Sequence, residues 1–251
     1  MKLSFIIVNY QSEKYLFKCL SSIQEKILGV GYEIIVVNND ATHLETSFPS
    51  EIKLINTGKN IGFGAACNLG ARSAQGEILC FLNPDTEIVS NNILDLLDKF
   101  DKYDKLAIVG PRLVDEKNNT QEWIAGKEVT IWSTLMNNLG YKRDQKIWES
   151  AVPVECAWIT GAAMFIRKDI FDRLGGFDEK FFMYFEDVDL CQRARQLSYK
   201  VLYFPEFTVK HFGGKSFLNK KRQKKYYYVS QLKYFKKYFL LKNSKYARIR
   251  A

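Results

Sequence analysis

An α/β fold, with an open, mostly parallel and doubly wound sheet, is what this chain predicts, and three observations carry it. Residues 3–8 (LSFIIV) and 33–37 (EIIVV) are continuous apolar runs rich in β-branched residues. Runs of that kind suit strands buried on both faces. Between them Leu16, Cys19, Leu20, Ile23 and Ile27 recur at helical spacing, with Ser12 as candidate N-cap. Strand, helix and strand in that order predict a right-handed parallel crossover.

The remaining elements follow along the chain. Leu54-Ile55 predicts a third strand, residues 64–74 a helix of small residues, and 77–82 a fourth strand running into Asn83-Pro84-Asp85. Ile93, Leu94, Leu97 and Phe100 mark another helix, and 106–109 another strand. Residues 1–110 therefore read as a nucleotide-binding half. Residues 112–150 mix polar turns with Trp123, Trp132 and Trp148, as a covering segment does. Regular pattern returns in 158–166, at a Gly175-Gly176 turn, in a helix from about Asp187 to Leu197, and in a strand at 201–204. These form a second half, 111–215, followed by a tail, 216–251.

Composition narrows the function classes. A chain of 251 residues that is 47% hydrophobic can bury a large core. No apolar run approaches the roughly 18 residues of a membrane span. Asn9 interrupts the first apolar stretch too early for a signal peptide, so the cytosol is the expected compartment. Five scattered cysteines suit reduced core positions better than a disulfide framework or a zinc site. The net charge of +9 is uneven: residues 207–251 hold 14 Lys/Arg and no acid, leaving residues 1–206 with 23 basic and 28 acidic side chains. An acidic body repels phosphate backbones, so nucleic acid is not an expected partner.

Ligands of open α/β sheets sit beyond the carboxyl ends of strands, which directs attention to polar residues that end apolar runs. Asn9-Tyr10, Asn38-Asn39-Asp40, Asn60 and Asn83-Pro84-Asp85 do so. Any one of them is as readily an Asx turn or a helix cap. Together on one edge they mark a binding site. Pro84 fixes the backbone before Asp85, a short carboxylate suited to a hard divalent cation shared with phosphates. In the segment Asn60 to Gly70, Gly62 and the following small residues either admit a ligand at a helix start or let that helix pack closely on the sheet. Glu186-Asp187 follows the aromatic run 181–185. The pair reads either as acids in a pocket wall, with proton affinity raised enough for general-base work, or as first-turn acids on the helix dipole. His211 precedes a donor-rich turn at 212–216, while His43 reads as a surface residue.

Taken in order, these residues resemble the GT-A family 2 glycosyltransferases, in particular a rhamnosyltransferase-like branch that builds bacterial surface polysaccharides. The likeness covers nearly the whole chain. It rests on Ile7-Val8-Asn9-Tyr10, Val37-Asn38-Asn39, Asn60-Ile61-Gly62-Phe63-Gly64 with Asn68, Leu82-Asn83-Pro84-Asp85-Thr86, Gly161-Ala162-Ala163-Met164, Gly175-Gly176-Phe177-Asp178-Glu179, Phe182 to Leu190, and His211. The resemblance implies inverting transfer of a sugar, such as rhamnose, to a saccharide or lipid-linked saccharide hydroxyl. It puts Mg²⁺ or Mn²⁺ on Asp85 with help from His211, the general base at Asp187, and an orienting neighbour at Glu186. It assigns the nucleotide sugar to Asn9, Tyr10, Asn38, Asp40, Asn60, Gly62, Phe63, Asn68 and Asn83, and the acceptor side to Trp158, Gly161 and Ala162. Asn38 stands where the family usually has Asp, Asp40 where a small residue is common, and His43 where a later Asp is frequent. An amide oxygen still accepts from a pyrimidine N3–H, which implies a UDP or dTDP donor.

The tail predicts a helix over 226–242, with Tyr228, Leu232, Phe235 and Phe239 as one stripe and Lys225, Lys233, Lys236 and Lys237 elsewhere around it. Such a helix either lies on an anionic membrane surface or packs its aromatic residues on the domain. A sugar-1-phosphate nucleotidyltransferase would need a Gly-rich N-terminal loop with Arg and Lys, and residues 3–12 contain none of these. A non-catalytic nucleotide-sugar-binding module remains the other alternative.

Overall fold

A computed structural model of the chain describes residues 2–42, 44, 48–49, 52–213 and 220–240. His43 and the Gly214-Lys215-Ser216 turn lie outside the described residues. In chain order the elements are β1 (Lys2–Asn9), α1 (Glu13–Lys26), β2 (Gly31–Asn38), β3 (Ile52–Asn56), α2 (Phe63–Ser73), β4 (Ile78–Leu82), β5 (Thr86–Ile88), α3 (Ile93–Lys102) and β6 (Leu106–Val114). There follow β7 (Ala125–Gly126), α4 (Ile131–Asn138), α5 (Gln145–Trp148), β8 (Val154–Cys156), β9 (Trp158–Ile159), β10 (Ala163–Arg167) and α6 (Lys168–Arg173). The chain continues through α7 (Glu186–Gln196), β11 (Lys200–His211) and α8 (Lys220–Phe235), which runs into a π-helical turn at Lys236–Leu240.

The main sheet has the order β3-β2-β1-β4-β10-β6-β11-β5, with β8 beside β11. β1, β2, β3 and β4 are mutually parallel and in continuous register, Asn9 opposite Asn38 and Asn38 opposite Asn56. Leu3, Phe5, Ile6 and Ile7 are all fully buried, which is why β1 reads as an unbroken apolar run rather than an alternating one. β10 then enters antiparallel between β4 and β6. One strand of the second half thus lies inside the sheet of the first, and the sequence boundary at residue 110 falls within β6.

Three local expectations are corrected. Ser12 precedes α1, but its hydroxyl donates to the Tyr10 carbonyl at 3.0 Å and caps no helix N–H. In α3 it is Leu96, not Leu94, that joins Ile93, Leu97 and Phe100 in the core, because Leu94 falls on the solvent side of the helix. Residues 158–166 are two strands: a turn at Gly161-Ala162 separates β9, paired with β7, from β10 in the main sheet. All five cysteines are buried and unpaired, as core residues.

The C-terminal helix packs on the domain through a seam different from the predicted stripe. Tyr228 and Leu232 face outward, while Tyr234 and Tyr238 are buried against Phe181 and Phe185. Phe235 and Phe239 are half-buried beside them. A polar anchor decides this phase. The fully buried carboxylate of Asp189 accepts from Lys237 Nζ at 2.6 Å, Tyr238 Oη at 2.7 Å and Arg193 Nε at 2.7 Å. Lys237 also reaches Asp178 at 2.7 Å. A buried carboxylate held by so many donors is strongly destabilising when one is withdrawn. Tyr238→Phe is therefore expected to lower unfolding free energy by about 1.5–3 kcal/mol, the range for hydrogen bonds to charged groups, with an unchanged m-value in urea titration.

Candidate active site

Because β1, β2 and β4 are parallel, their carboxyl ends open on one edge, and a cavity of about 300 Å³ lies there. One wall carries Tyr10, Asn39, Asn60 and Phe63, and the floor Asn83, Pro84 and Asp85. Opposite stand Gly161, Ala162, Glu186 and Asp187, with His211 at one end. The Asn83 N–H donates to the Ala162 carbonyl at 2.9 Å, so pairing of β4 with β10 holds the two walls together.

The acids are aimed by an unusual backbone. Tyr184 and Phe185 have φ of 66° and 68°, two successive non-glycine residues in the left-handed region. Each such residue costs of order 1–3 kcal/mol and persists only where its surroundings enforce it. Here the C-terminal helix does so: Ser230 Oγ donates to the Met183 carbonyl at 2.7 Å, and the Tyr227 ring lies 5.8 Å from Tyr184 and 5.5 Å from Phe185. The turn delivers Glu186 and Asp187 to the first turn of α7.

Asp187 Oδ2 accepts from the Gly161 N–H at 2.8 Å and Oδ1 from the Val188 N–H at 2.8 Å. Burial raises its proton affinity above that of an ordinary aspartate, and the backbone donors restrain the rise. Gly161 allows a close fit at this contact, since a Cβ would press on the Phe63 ring at 3.2 Å. Burial first, and then the neighbouring Asp187 charge, push Glu186 well above the usual carboxylate range. Its Oε2 is buried without a hydrogen-bond partner.

At the other end, Asp85 is buried, and its Oδ1 lies 3.5 Å from His211 Nε2. Gln121 fixes the histidine. Its Nε2 donates to the His211 carbonyl at 2.6 Å, so its Oε1 is the atom facing Nδ1 at 2.9 Å. The Nδ1 must then carry the hydrogen, leaving the Nε2 lone pair turned toward a carboxylate oxygen. Two acceptors facing each other require a shared proton or a cation between them. A carboxylate and an imidazole beside open cavity fit a Mg²⁺ or Mn²⁺ that takes its other ligands from phosphate and water. Among the described residues no group of three or more His, Cys, Asp or Glu converges to make an all-protein cage.

Other sequence candidates are placed differently. Asn38 is fully buried beneath the cavity: its Oδ1 accepts from Asn9 Nδ2 at 3.1 Å, and its Nδ2 donates to the Thr42 carbonyl at 2.8 Å and Asn56 Oδ1 at 3.0 Å. The oxygen expected to meet a pyrimidine N3–H is already occupied. Asn9 is likewise buried, and the Asp40 carboxylate accepts from the adjacent Ala41 N–H at 2.7 Å. Asn68 lies away from the cavity and pins α2 to Phe177 and Glu179. Gly62 is needed for packing, with φ of 95° and a would-be Cβ 2.8 Å from the Phe182 carbonyl oxygen. Trp158 sits on β9 with its Nε1 buried and unpartnered, and does not line the cavity.

Sequence patterns singled out Asn39 among the strand-end amides but gave no role to Thr160, Gln223 or Gln121. Asn39 bridges to Asn60 at 3.2 Å and accepts from the Ile61 N–H at 2.9 Å, shaping that wall of the cavity. Thr160 lines the cavity beside Gly161, and Gln223 of α8 reaches the same cavity next to Tyr184. Gln121, behind His211, sits in a segment without periodicity, where no pattern could single it out.

A doubly wound, mostly parallel sheet whose strand-end cavity is lined by Glu186, Asp187 and an Asp-His pair that fits a metal points to the GT-A fold class. The comparisons agree with that class. The family model described as Glycosyl transferase family 2 matches residues 4–175, and the chain belongs to that family. It is 30% identical over 200 residues to the low-salt glycan biosynthesis hexosyltransferase Agl10 of Haloferax volcanii, covering 77% of this chain and 62% of that one. It is 27% identical over 184 residues to an N-acetylglucosaminyl-diphospho-decaprenol L-rhamnosyltransferase of Mycobacterium tuberculosis, covering 66% of this chain and 60% of the relative. The chain thus spans about three fifths of the length of these two relatives. Against rhamnosyltransferase WbbL of Escherichia coli identity is 25%, over 97% and 96% of the two chains. GalNAc-T7 solved with UDP, GalNAc and Mn²⁺ shares the fold at a TM-score of 0.64 and 17% identity, over 84% of this chain and 44% of that one.

Raised proton affinity at Glu186 carries a stability prediction. The unfolded chain ionises this group near the ordinary glutamate value, so the folded state loses stability as pH climbs from there toward the raised value, by about 1.4 kcal/mol per pH unit. Glu186→Gln is expected to melt above the wild type at pH 8, with a gap that closes near pH 4. Melting temperatures measured across that range check the sign.

Proposed function

We propose that the protein transfers a sugar, with rhamnose the favoured candidate, from a UDP- or dTDP-sugar to a saccharide or lipid-linked saccharide hydroxyl, with inversion at the anomeric carbon. The observation that carries this reading is that Asp187 and the Asp85–His211 pair line one cavity. Family membership supports the reaction class. Two relatives named as rhamnosyltransferases support the sugar, and the diphospho-decaprenol in one of their names supports a lipid-linked acceptor.

In this mechanism the acceptor hydroxyl enters beside Gly161 and Ala162 and gives its proton to the Asp187 carboxylate as its oxygen bonds to the anomeric carbon. The bond from that carbon to the diphosphate oxygen breaks on the opposite face, and the electron pair leaves with the nucleoside diphosphate. Asp187 is suited to this because its backbone hydrogen bonds fix its orientation while burial strengthens it as a base. Glu186, in its protonated form, adds no second negative charge to the wall. A divalent ion held by Asp85 and His211 would stabilise charge on the departing diphosphate. Tyr10, Asn39 and Asn60 form the wall available to the nucleoside. On this reading the tail brings its lysines toward an anionic membrane surface, where a lipid-linked acceptor resides.

Asp187→Asn is expected to lower kcat by about a hundred- to ten-thousand-fold while leaving the thermal shift given by donor nearly intact. Asp85→Ala should abolish the Mn²⁺-dependent part of that shift. Full turnover by the first variant, or an unchanged metal response in the second, sinks the corresponding role. Gln121→Leu frees the His211 ring, and titration of Mn²⁺ against thermal stability should show affinity about 10- to 100-fold weaker.

A further inference from the structure

α4 presents its apolar side to solvent. At 100° per residue, Ile131, Trp132, Leu135 and Leu139 at its end fall within an arc of about 100°, and each is half or more exposed, Trp132 by 69%. The side turned to the protein is polar: Ser133 and Thr134 are the buried residues of this helix. Its N-terminus is closed by a capping box in which Thr130 Oγ1 accepts from the Ser133 N–H at 3.0 Å and the Thr130 N–H donates to Ser133 Oγ at 2.8 Å. A surface helix of a water-soluble domain ordinarily has the reverse arrangement. Tyr141, just beyond, is exposed as well.

A second observation identifies what covers this face. Val129, two residues before α4, packs on the cluster of Phe181, Phe185, Tyr234 and Tyr238, so α4 begins against the C-terminal helix. The outward side of α8 carries Lys221, Lys224 and Lys225 and then Tyr228, Val229 and Leu232, all exposed. Residues 207–251 contain no acid. Tryptophan and tyrosine beside aliphatic side chains and lysines suit the headgroup boundary of a bilayer. A second copy of the chain fits less well, since a two-fold contact across this region would bring like-charged lysine rows together.

We propose that α4 is a membrane-docking element, inserting Ile131, Trp132, Leu135 and Leu139 into the interface of an anionic phospholipid bilayer while the α8 lysines lie over its headgroups. This extends the membrane reading above from the tail to an element inside the domain, and rests on that reading only in placing the acceptor at a membrane. Insertion by α4 sets the cavity, to which α8 contributes Gln223, close to the lipid surface.

The test is co-sedimentation of the full chain with vesicles of phosphatidylcholine alone or with phosphatidylglycerol, beside a transfer assay with a water-soluble acceptor. Wild type should bind the anionic vesicles and bind phosphatidylcholine at least tenfold less. Trp132→Ser/Leu135→Ser should lose at least tenfold in anionic-vesicle binding with unchanged melting temperature and unchanged turnover of the soluble acceptor. Lys224→Gln/Lys225→Gln should flatten the salt dependence of binding. Vesicle binding that the α4 variant retains in full overturns the inference while leaving the tail reading intact. Two other results also overturn it: no vesicle binding by wild type, and a lipid-free dimer that the α4 variant dissociates. Vesicle binding through α4 by a chain that transfers no sugar would sink the proposed function and leave this inference standing.

Discussion

The antiparallel insertion of β10 between β4 and β6 is the constraint on which the site depends. It makes one sheet from two chain halves, and it places the Gly161-Ala162 turn directly over the end of β4. The Asn83 N–H to Ala162 carbonyl bond is the first contact beyond that pairing, and the Asp187 bond to Gly161 hangs the start of α7 from it. A shift of register by one residue would reverse the facing of every β10 side chain and carry Gly161 away from Asp187. Geometry at the cavity is thus inherited from strand pairing in the centre of the main sheet.

The acids themselves oppose folding, and the C-terminal helix offsets this. Two left-handed residues precede Glu186, and burial makes ionised carboxylates unfavourable at both Glu186 and Asp187. Each feature would relax if the 180–185 segment moved. Asp189, one turn further along α7, ties that helix to Lys237 and Tyr238, while Ser230 and Lys233 bond the carbonyls of Met183 and Lys180. A buried ion network is poor value as stability alone, since its desolvation is expensive, but it specifies one position for the elements it joins. Here that position is the one that turns a strained pair of acids into the cavity. The tail is therefore part of the catalytic domain's construction as well as a carrier of positive charge.

Much of the fold was legible because parallel strands buried on both faces leave unmistakable apolar runs, as at 3–8 and 33–37. The insertion of β10 was not, since no local pattern distinguishes a strand's neighbours. Site residues at strand ends, Tyr10, Asn83 and Asp85, were found because the chain turns from apolar to polar there. Asn68 and Gly62 were singled out by the same small-residue segment, yet the structure uses them to fit α2 against 176–182. Gln223 and Gln121 escaped notice for the opposite reason: each acts through a contact with a residue about 40 or 90 positions away, Tyr184 and His211, and sequence order carries no trace of it. In the tail, hydrophobic spacing alone pointed to Tyr228 and Leu232, whereas hydrogen bonding to a buried carboxylate selected Tyr238.

The amide at position 38, a departure from the family's usual aspartate, has a local cause. Its nitrogen donates to the Thr42 carbonyl and to Asn56, and its oxygen receives Asn9. An ionised aspartate has no hydrogen to donate, so it would leave the Thr42 carbonyl and Asn56 Oδ1 facing acceptor oxygens in a fully buried position. Asn38 thus ties the ends of β1, β2 and β3 into a neutral lattice. Asn39 and Asn60 continue this lattice up to the cavity, which both of them line. Asn39, itself buried, thus carries to the cavity a hydrogen-bonded lattice that places no charge on that wall.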